Sequence, residues 1–284
     1  DINFTGGSSV GPYAADETDL SFVNPVTLEY YNGANESGDP AVDDPNEKTP
    51  VSVTAGQTLS GINFIANGKG AAAATLLTEE FAFSGNLDAN GWTAHSGTTN
   101  LLATTTGLTY SGYSGNTGNA VAVTNLGGQD VNKGFDELSA SGDVIYSSFL
   151  VKVTEAADKT GDYFFHIGNR TSSTIFTAFA ARFFAKTSGA NVNFGVSNTT
   201  TATYGSTNYA KNTTYLAIVK YTINTAGNDT VKLWIVPSGL PLSESSAGTP
   251  LVTNGSTAGQ DVINAVGIRQ GSASTSPAVV LDGI

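Results

Sequence analysis

The chain of 284 residues contains no cysteine and no methionine. That excludes a disulfide framework, a thiol nucleophile and a cysteine-ligated metal, although it leaves the compartment open. A chain of this length can bury a core without such staples. Charge is also scarce: 13% of residues are Asp, Glu, Lys or Arg, and the net balance is −12. An acidic surface repels the phosphates of nucleic acids and anionic membranes, and is compatible with neutral glycans or divalent cations. No apolar run reaches the roughly 18 residues of a membrane-spanning helix. Only two imidazoles exist, His95 and His166, and GxSxG, HExxH, P-loop and GxGxxG patterns are absent. Nor does any long stretch show a helical period.

What the chain has instead is alternation. VIYSSFLVKV, TIFTAFAARFFAK, TYLAIVKYTI and TVKLWIVP place apolar and polar residues in turn, as strands with one buried face do, and Gly, Asn, Ser and Thr clusters separate them. The expected class is all-β. Residues 1–67 read as a small Ig- or prealbumin-like β-sandwich of about four strands, fewer than the usual seven. The acidic GANESGDPAVDDPNEKTP within it is a loop. Residues 68–75, GKGAAAAT, read as a linker. Residues 76–284 supply about a dozen strand candidates, LLTEEFAF and LTYSGY among them, enough for two stacked antiparallel sheets. NTAGND between YLAIVKYTI and TVKLWIVP reads as a hairpin turn.

The succession LLTEEFAFSGNLDANGWTAHSG, GLTYSGYSGNTGNAVAV, SSFLVKVTEAADKTGDYFFHIGN, NTTYLAIVKYTINTAGNDTVKLWIVPSG and VGIRQGSASTSPAVVLDGI resembles a concanavalin-A-like (laminin-G-like) jelly-roll module. The likeness is to the version appended to secreted multidomain proteins of Bacteroidota-type bacteria, and it covers 76–284. EYYNGANESGDPAVDDPNEKTPVSVTAGQTLSGINFIAN is similar to the last strands of carboxypeptidase-regulatory-like (prealbumin-type) sandwiches. The resemblance implies export to the cell surface or medium. It also implies a further strand after Asp-Gly-Ile, so both ends are expected to continue in a longer protein.

Jelly-roll glycosidases use paired carboxylates on one strand, in an ExDxxE-like pattern. The acidic clusters here, Glu79-Glu80, Asp136-Glu137 and Asp143, lack that spacing, so no catalytic residue is assigned. Calcium is the metal considered, since hard cations collect carboxylate and carbonyl oxygens. One candidate set is Glu80 and Asp282, on opening and closing strands expected to lie side by side, with Asn86 and Asp88 in the next turn; the resemblance supports a structural calcium there. The other is Asp39, Asp43 and Asp44, whose plain alternative is a solvated acidic loop.

Ligand recognition in a sandwich uses aromatics that stack on sugar rings, flanked by polar groups. Trp92, Tyr113, Tyr163, His166 and Arg170 are the candidates, with Tyr110 and Tyr204 behind them; Trp234 reads as core. A strict period of two within DYFFHIGNR puts Tyr163, Phe165 and Ile167 on one face and Phe164 and His166 on the other. Asp229-Thr230-Val231 resembles a short O-glycosylation signal centred on Thr230. The leading expectation is a non-catalytic extracellular module for adhesion or glycan binding, its partner a glycan or a neighbouring surface protein. A subunit of a surface fibre, pairing with copies of itself, is the alternative, and a polysaccharide hydrolase or lyase the third.

Overall fold

The computed structural model describes residues 2–3, 9–10, 75–113, 117–156, 160–241, 244, 246–272 and 274–284. The chain divides into two units, Asp1–Thr75 and Leu76–Ile284. In the first, β1 (Ile2–Asn3) pairs antiparallel with β2 (Ser9–Val10). The rest of the expected small sandwich, the linker up to residue 74, and the loop bearing Asp39, Asp43 and Asp44 lie outside the described residues.

Among its described residues the second unit holds fifteen strands: β3 (Thr93–Ser96), β4 (Ala103–Thr105), β5 (Ala120–Val123), β6 (Asp130–Leu138), β7 (Val144–Glu155), β8 (Asp162–Ser172), β9 (Ile175–Ser188), β10 (Asn191–Ser197), β11 (Thr203–Tyr204), β12 (Tyr209–Ala210), β13 (Thr214–Thr222), β14 (Thr230–Val236), β15 (Val252–Asn254), β16 (Ile263–Ile268) and β17 (Ala278–Asp282). They form two antiparallel sheets. The front sheet runs β11-β10-β9-β8-β16-β6-β3, with β12 also on β10; the back sheet runs β15-β14-β13-β7-β17-β5-β4. This is the two-sheet sandwich that the alternation predicts, and the β13–β14 hairpin closes through Gly227 N donating to Asn224 O at 3.0 Å. Among the described residues no helix is long and apolar enough to cross a membrane.

The two inner faces share one core. Phe149 of the back sheet meets Phe165 of the front with ring centroids 4.4 Å apart, and Phe183 stacks on Phe194 at 5.4 Å. All four are fully buried, and each such side chain stabilises the fold by about 1.5–3 kcal/mol.

Three sequence expectations change. LLTEEFAF and LTYSGY form no strand. The first is an extended lead-in that exchanges hydrogen bonds between Glu79 and Ile284 at 2.7 and 2.9 Å and then turns at Phe81, whose φ is +47°. β6 was not expected, because its sequence DVNKGFDEL mixes four charges and a glycine into the alternation. Most consequential is a bulge between Tyr163 and Phe165. It turns Phe164, Phe165 and Ile167 all into the core, and leaves Tyr163 beside His166 at 5.7 Å. One extra residue thus reassigns the outer face of β8.

Candidate functional site

The outer face of the front sheet is built on glycines. In the row across β8, β16, β6 and β3, His166 pairs with Gly267, Gly267 with Asn132, and Asn132 with Thr93. A Cβ on Gly267 would run into the His166 ring, one on Gly134 into the Arg170 guanidinium, and one on Gly168 into Ala178 O and Phe176. Bare backbone at these three points lets the large side chains of neighbouring strands lie flat over the sheet.

On this floor lies a band of rings and cations. Tyr163 stands between the guanidinium carbons of Arg269 at 4.5 Å and Arg182 at 5.4 Å from its ring centroid. Arg182 also packs over Phe179 at 5.5 Å. Toward β11, Phe184 underlies Tyr163 at 5.5 Å, and Lys186 sits 4.2 Å over Tyr204. Toward β3, His166 contacts Phe179 at 4.2 Å and Phe176 at 5.0 Å, and His95 lies 6.3 Å from His166. His166 and Phe176 are sealed, whereas Tyr163, Phe179, Arg170, Arg182, Arg269, Lys186 and His95 keep part of their surface in water.

Both imidazoles are neutral. Burial, followed by the charges of Arg182, His95 and Arg269, holds His166 well below its ordinary pKa, and both its ring nitrogens are buried without a partner. Burial lowers His95 to about 4. Its protonation pattern follows from Asn132: Oδ1 accepts from Arg170 Nη1 at 3.1 Å, which fixes the amide, so Nδ2 faces His95 Nδ1 at 3.2 Å as a donor. Nδ1 therefore accepts, and the ring proton is on Nε2. Burial pushes the Tyr163 phenol up despite the guanidiniums beside it.

The expected ligand residues thus separate. Tyr163, His166 and Arg170 come together on the front face, with His166 beneath it rather than on it. Trp92 does not join them; it is 2% exposed, stacks on Phe81 at 6.0 Å and donates from Nε1 to Glu79 Oε2 at 3.0 Å. Tyr113 belongs to the back sheet, where its hydroxyl donates to Gly283 O at 2.7 Å. Arg182 and Arg269 were missed as ligand groups, since only the packed sheet brings 163, 182 and 269 together. Thr230 is half-buried on β14, and the preceding Asp229 pins the hairpin by accepting from Asn224 N and Gly259 N. Trp234 is core. It also borders an open cleft of about 360 Å³ near Tyr209 and Leu251, whose lining carries no charged side chain.

The first calcium set does not assemble whole. Asp88 accepts from Gln129 Nε2 at 2.7 Å, and Asn86 bridges to Ala103. Among the described residues no three His or acidic side chains cluster. Glu80 and Asp282 do approach, for Glu80 raises the pKa of Asp282, which burial chiefly carries up to about 6. Asp282 is fully buried. Its Oδ2 accepts from Leu108 N at 2.7 Å, but Oδ1 has no partner.

No protein-family model matches the chain and no curated protein does. Solved structures with a similar chain path include the alginate lyase Aly36B, at 14% identity and TM-score 0.45 over 75% of this chain and 96% of that one. The globular domain of T. cruzi calreticulin gives 14% and 0.40 over 72% and 86%. Peanut lectin bound to a nine-residue peptide gives 10% and 0.41 over 74% and 96%. These are likenesses of chain path alone.

Proposed function

We propose that the outer face of the front sheet binds a glycan, and that the protein is a non-catalytic recognition or adhesion module working outside the cell. The observation that carries this is the band centred on Tyr163. Partly exposed aromatic rings offer apolar faces to the C–H faces of sugars, and guanidinium, imidazole and amide groups at their edges match hydroxyls. Two features favour binding over turnover. The imidazoles are ill placed for proton transfer: His166 is sealed, and His95 presents a donor rather than a base. The nearest carboxylate pair, Asp130 and Asp162, is already engaged, by Ser96 Oγ and Gln270 N on one side and by Arg269 and Ser276 on the other. A glycan array probed with wild type and Tyr163→Ala tests the reading. Retention lost in the variant supports it, and a wild type that retains no glycan overturns it.

For calcium, we propose the pair Asp282 and Glu80. The unpartnered Oδ1 of Asp282 lies beside Glu80, whose Oε2 accepts from Thr117 Oγ1, and Gly107 and Gly118 let the backbone oxygens Gly118 O and Glu80 O pack close by, so the spot is rich in oxygen. Asp282 and Glu80 would supply carboxylate oxygens, and the cation would hold two neighbouring carboxylates ionised. Bound at 100 times its dissociation constant, it would add about 2.7 kcal/mol of stability. Melting with calcium and with chelator should differ for wild type and coincide for Asp282→Asn; coincident wild-type curves would remove calcium from the account.

A further inference from the structure

Resting on the glycan reading above, we propose that the ligand is an acidic glycan whose carboxylates are gripped by Arg170 and Arg182. The chain carries 24 acidic residues and only three arginines, Arg170, Arg182 and Arg269, and all three lie at the front face. In a protein of net charge −12, gathering every guanidinium on one face runs against the overall field.

The three differ in how they are satisfied. Arg269 is neutralised by Asp162 at 2.7 Å. Arg170 and Arg182 have no carboxylate within ion-pair distance among the described residues. Arg170 Nη1 bonds the neutral amide oxygen of Asn132, and Arg182 Nη1 bonds the carbonyl of Asn198 at 2.7 Å. The Nε of Arg182 is buried with no partner, and burial lowers the pKa of this guanidinium. A cation drawn partly out of water without a counter-charge is costly, and an arriving anion relieves that cost.

The shape of the group narrows the anion. A guanidinium presents a planar fork of donors that matches the two coplanar oxygens of a carboxylate, and an exposed lysine does not reproduce it. Arg182 lies against the rings of Tyr163 and Phe179, so a sugar stacked there would bring its carboxylate to the fork. Arg170 waits beyond His166 and Phe176 on the same face, placed for a second acidic unit of the same polymer. A repeating uronate meets both conditions, whereas a neutral glycan would leave both guanidiniums as they are.

Calorimetric titration of the full chain tests this. The probes are oligogalacturonate, oligomannuronate and oligoglucuronate, each beside its carboxyl-reduced counterpart, with dextran sulfate as a second polyanion. At least one uronate should bind ten times or more tighter than its reduced form and weaken as salt rises. Arg170→Gln and Arg182→Gln should each lower that affinity about tenfold or more with little change in melting temperature. If Arg182→Gln fails to fold, Arg170→Gln decides. Equal binding of charged and reduced oligomers, lost in Tyr163→Ala, would overturn the charge assignment and leave the glycan face standing. Dextran sulfate binding as tightly as the uronate, through the same arginines, would overturn the carboxylate in favour of polyanions generally. No binding to any probe, together with an empty glycan array, would remove both proposals.

Discussion

The two outer faces of the sandwich treat charge in opposite ways. On the back sheet Glu244 takes Lys220 at 2.6 Å, Lys232 at 3.1 Å and the Tyr146 hydroxyl at 2.7 Å. Beside this cluster, Leu108, Tyr110 and Tyr113 pack over Ala120, Leu150 and Leu216 as a second small core. Tyr110 is tied down by hydrogen bonds to Val236 O and Gly239 O. On that face the Tyr110 and Tyr113 hydroxyls reach backbone carbonyls and Lys220 and Lys232 share the Glu244 carboxylate, while the Tyr146 ring stays half exposed. The front face keeps rings partly in water and, among the described residues, two arginines with no acid. The same β-sandwich therefore pairs its cations with an acid on one surface and, among the described residues, leaves two arginines without one on the other.

The sharpest way to break the contrast is to fill the front floor. Gly267→Ala places a methyl against a His166 ring already pressed between Phe176 and Phe179, so the ring has nowhere to go. Overpacking of this kind costs about 1–3 kcal/mol, and the cost here should lie near the top of that range. Denaturant unfolding should show it, and glycan retention should fall with it. Gly248→Ala, with open space around it but a φ of +73°, costs only backbone strain of about 1 kcal/mol and should leave retention intact.

A crossed pair of tyrosines comes next. Tyr113→Ala removes a half-buried ring and its hydrogen bond to Gly283 O, and should cost about 2 kcal/mol of stability without touching glycan affinity. Tyr163→Ala should do the reverse, with little loss of stability and an affinity at least tenfold lower, equivalent to about 1.4 kcal/mol. If both variants lose stability equally and retention not at all, the two faces are equivalent and the front face is simply surface.

Much of this frame is legible in the sequence alone. β7, β9, β10, β13 and β14 announce themselves through stretches of alternation, and β8, β16 and β17 as short apolar runs bounded by turn residues. β6 was illegible because its polar residues have partners: Lys133 reaches Glu79 at 2.6 Å, and Asn132 reaches across to β3. The site was half legible. Tyr163, His166 and Arg170 stand within eight residues of one another, whereas Arg182 and Arg269 arrive from other strands. Their meeting depends on register and on a bulge at Phe164, which no local pattern declares. Trp92 was misplaced for a related reason. A tryptophan beside a glycine turn resembles a surface platform, and only the buried Glu79 carboxylate explains why its indole N–H can turn inward.

Smaller effects sharpen the back face. Hydrogen bonds from Lys220 and then Tyr146 hold the Glu244 carboxyl down to about 2, below the roughly 4.3 of an unfolded glutamate. The stability it confers is therefore complete above about pH 4.3 and disappears as pH falls toward 2. The cluster is a third exposed, so Glu244→Gln should cost at most about 1 kcal/mol. The gap in melting temperature between wild type and variant should close between pH 5 and pH 2.5. A gap that persists at low pH would mean that Glu244 acts by packing and not by charge.

The last test should find no change in binding at all. The groups facing His95 are Asn132 from β6, His166 from β8 and Phe176 and Phe179 from β9, and burial is what lowers its pKa. None of these neighbours favours an imidazolium, so His95 stays neutral down to about pH 4, against about 6.5 in an unfolded chain. Between those values the unfolded state binds the proton and the native state does not, so stability falls as pH drops from 6.5 toward 4. Binding of a uronate behaves differently, since its positive partners are arginines and its carboxylate is ionised throughout. Affinity measured from pH 8 to pH 5.5 should stay flat while the melting temperature declines. An affinity that climbs as pH falls would assign the positive charge to an imidazolium, and the front face would then be a histidine site with arginines around it.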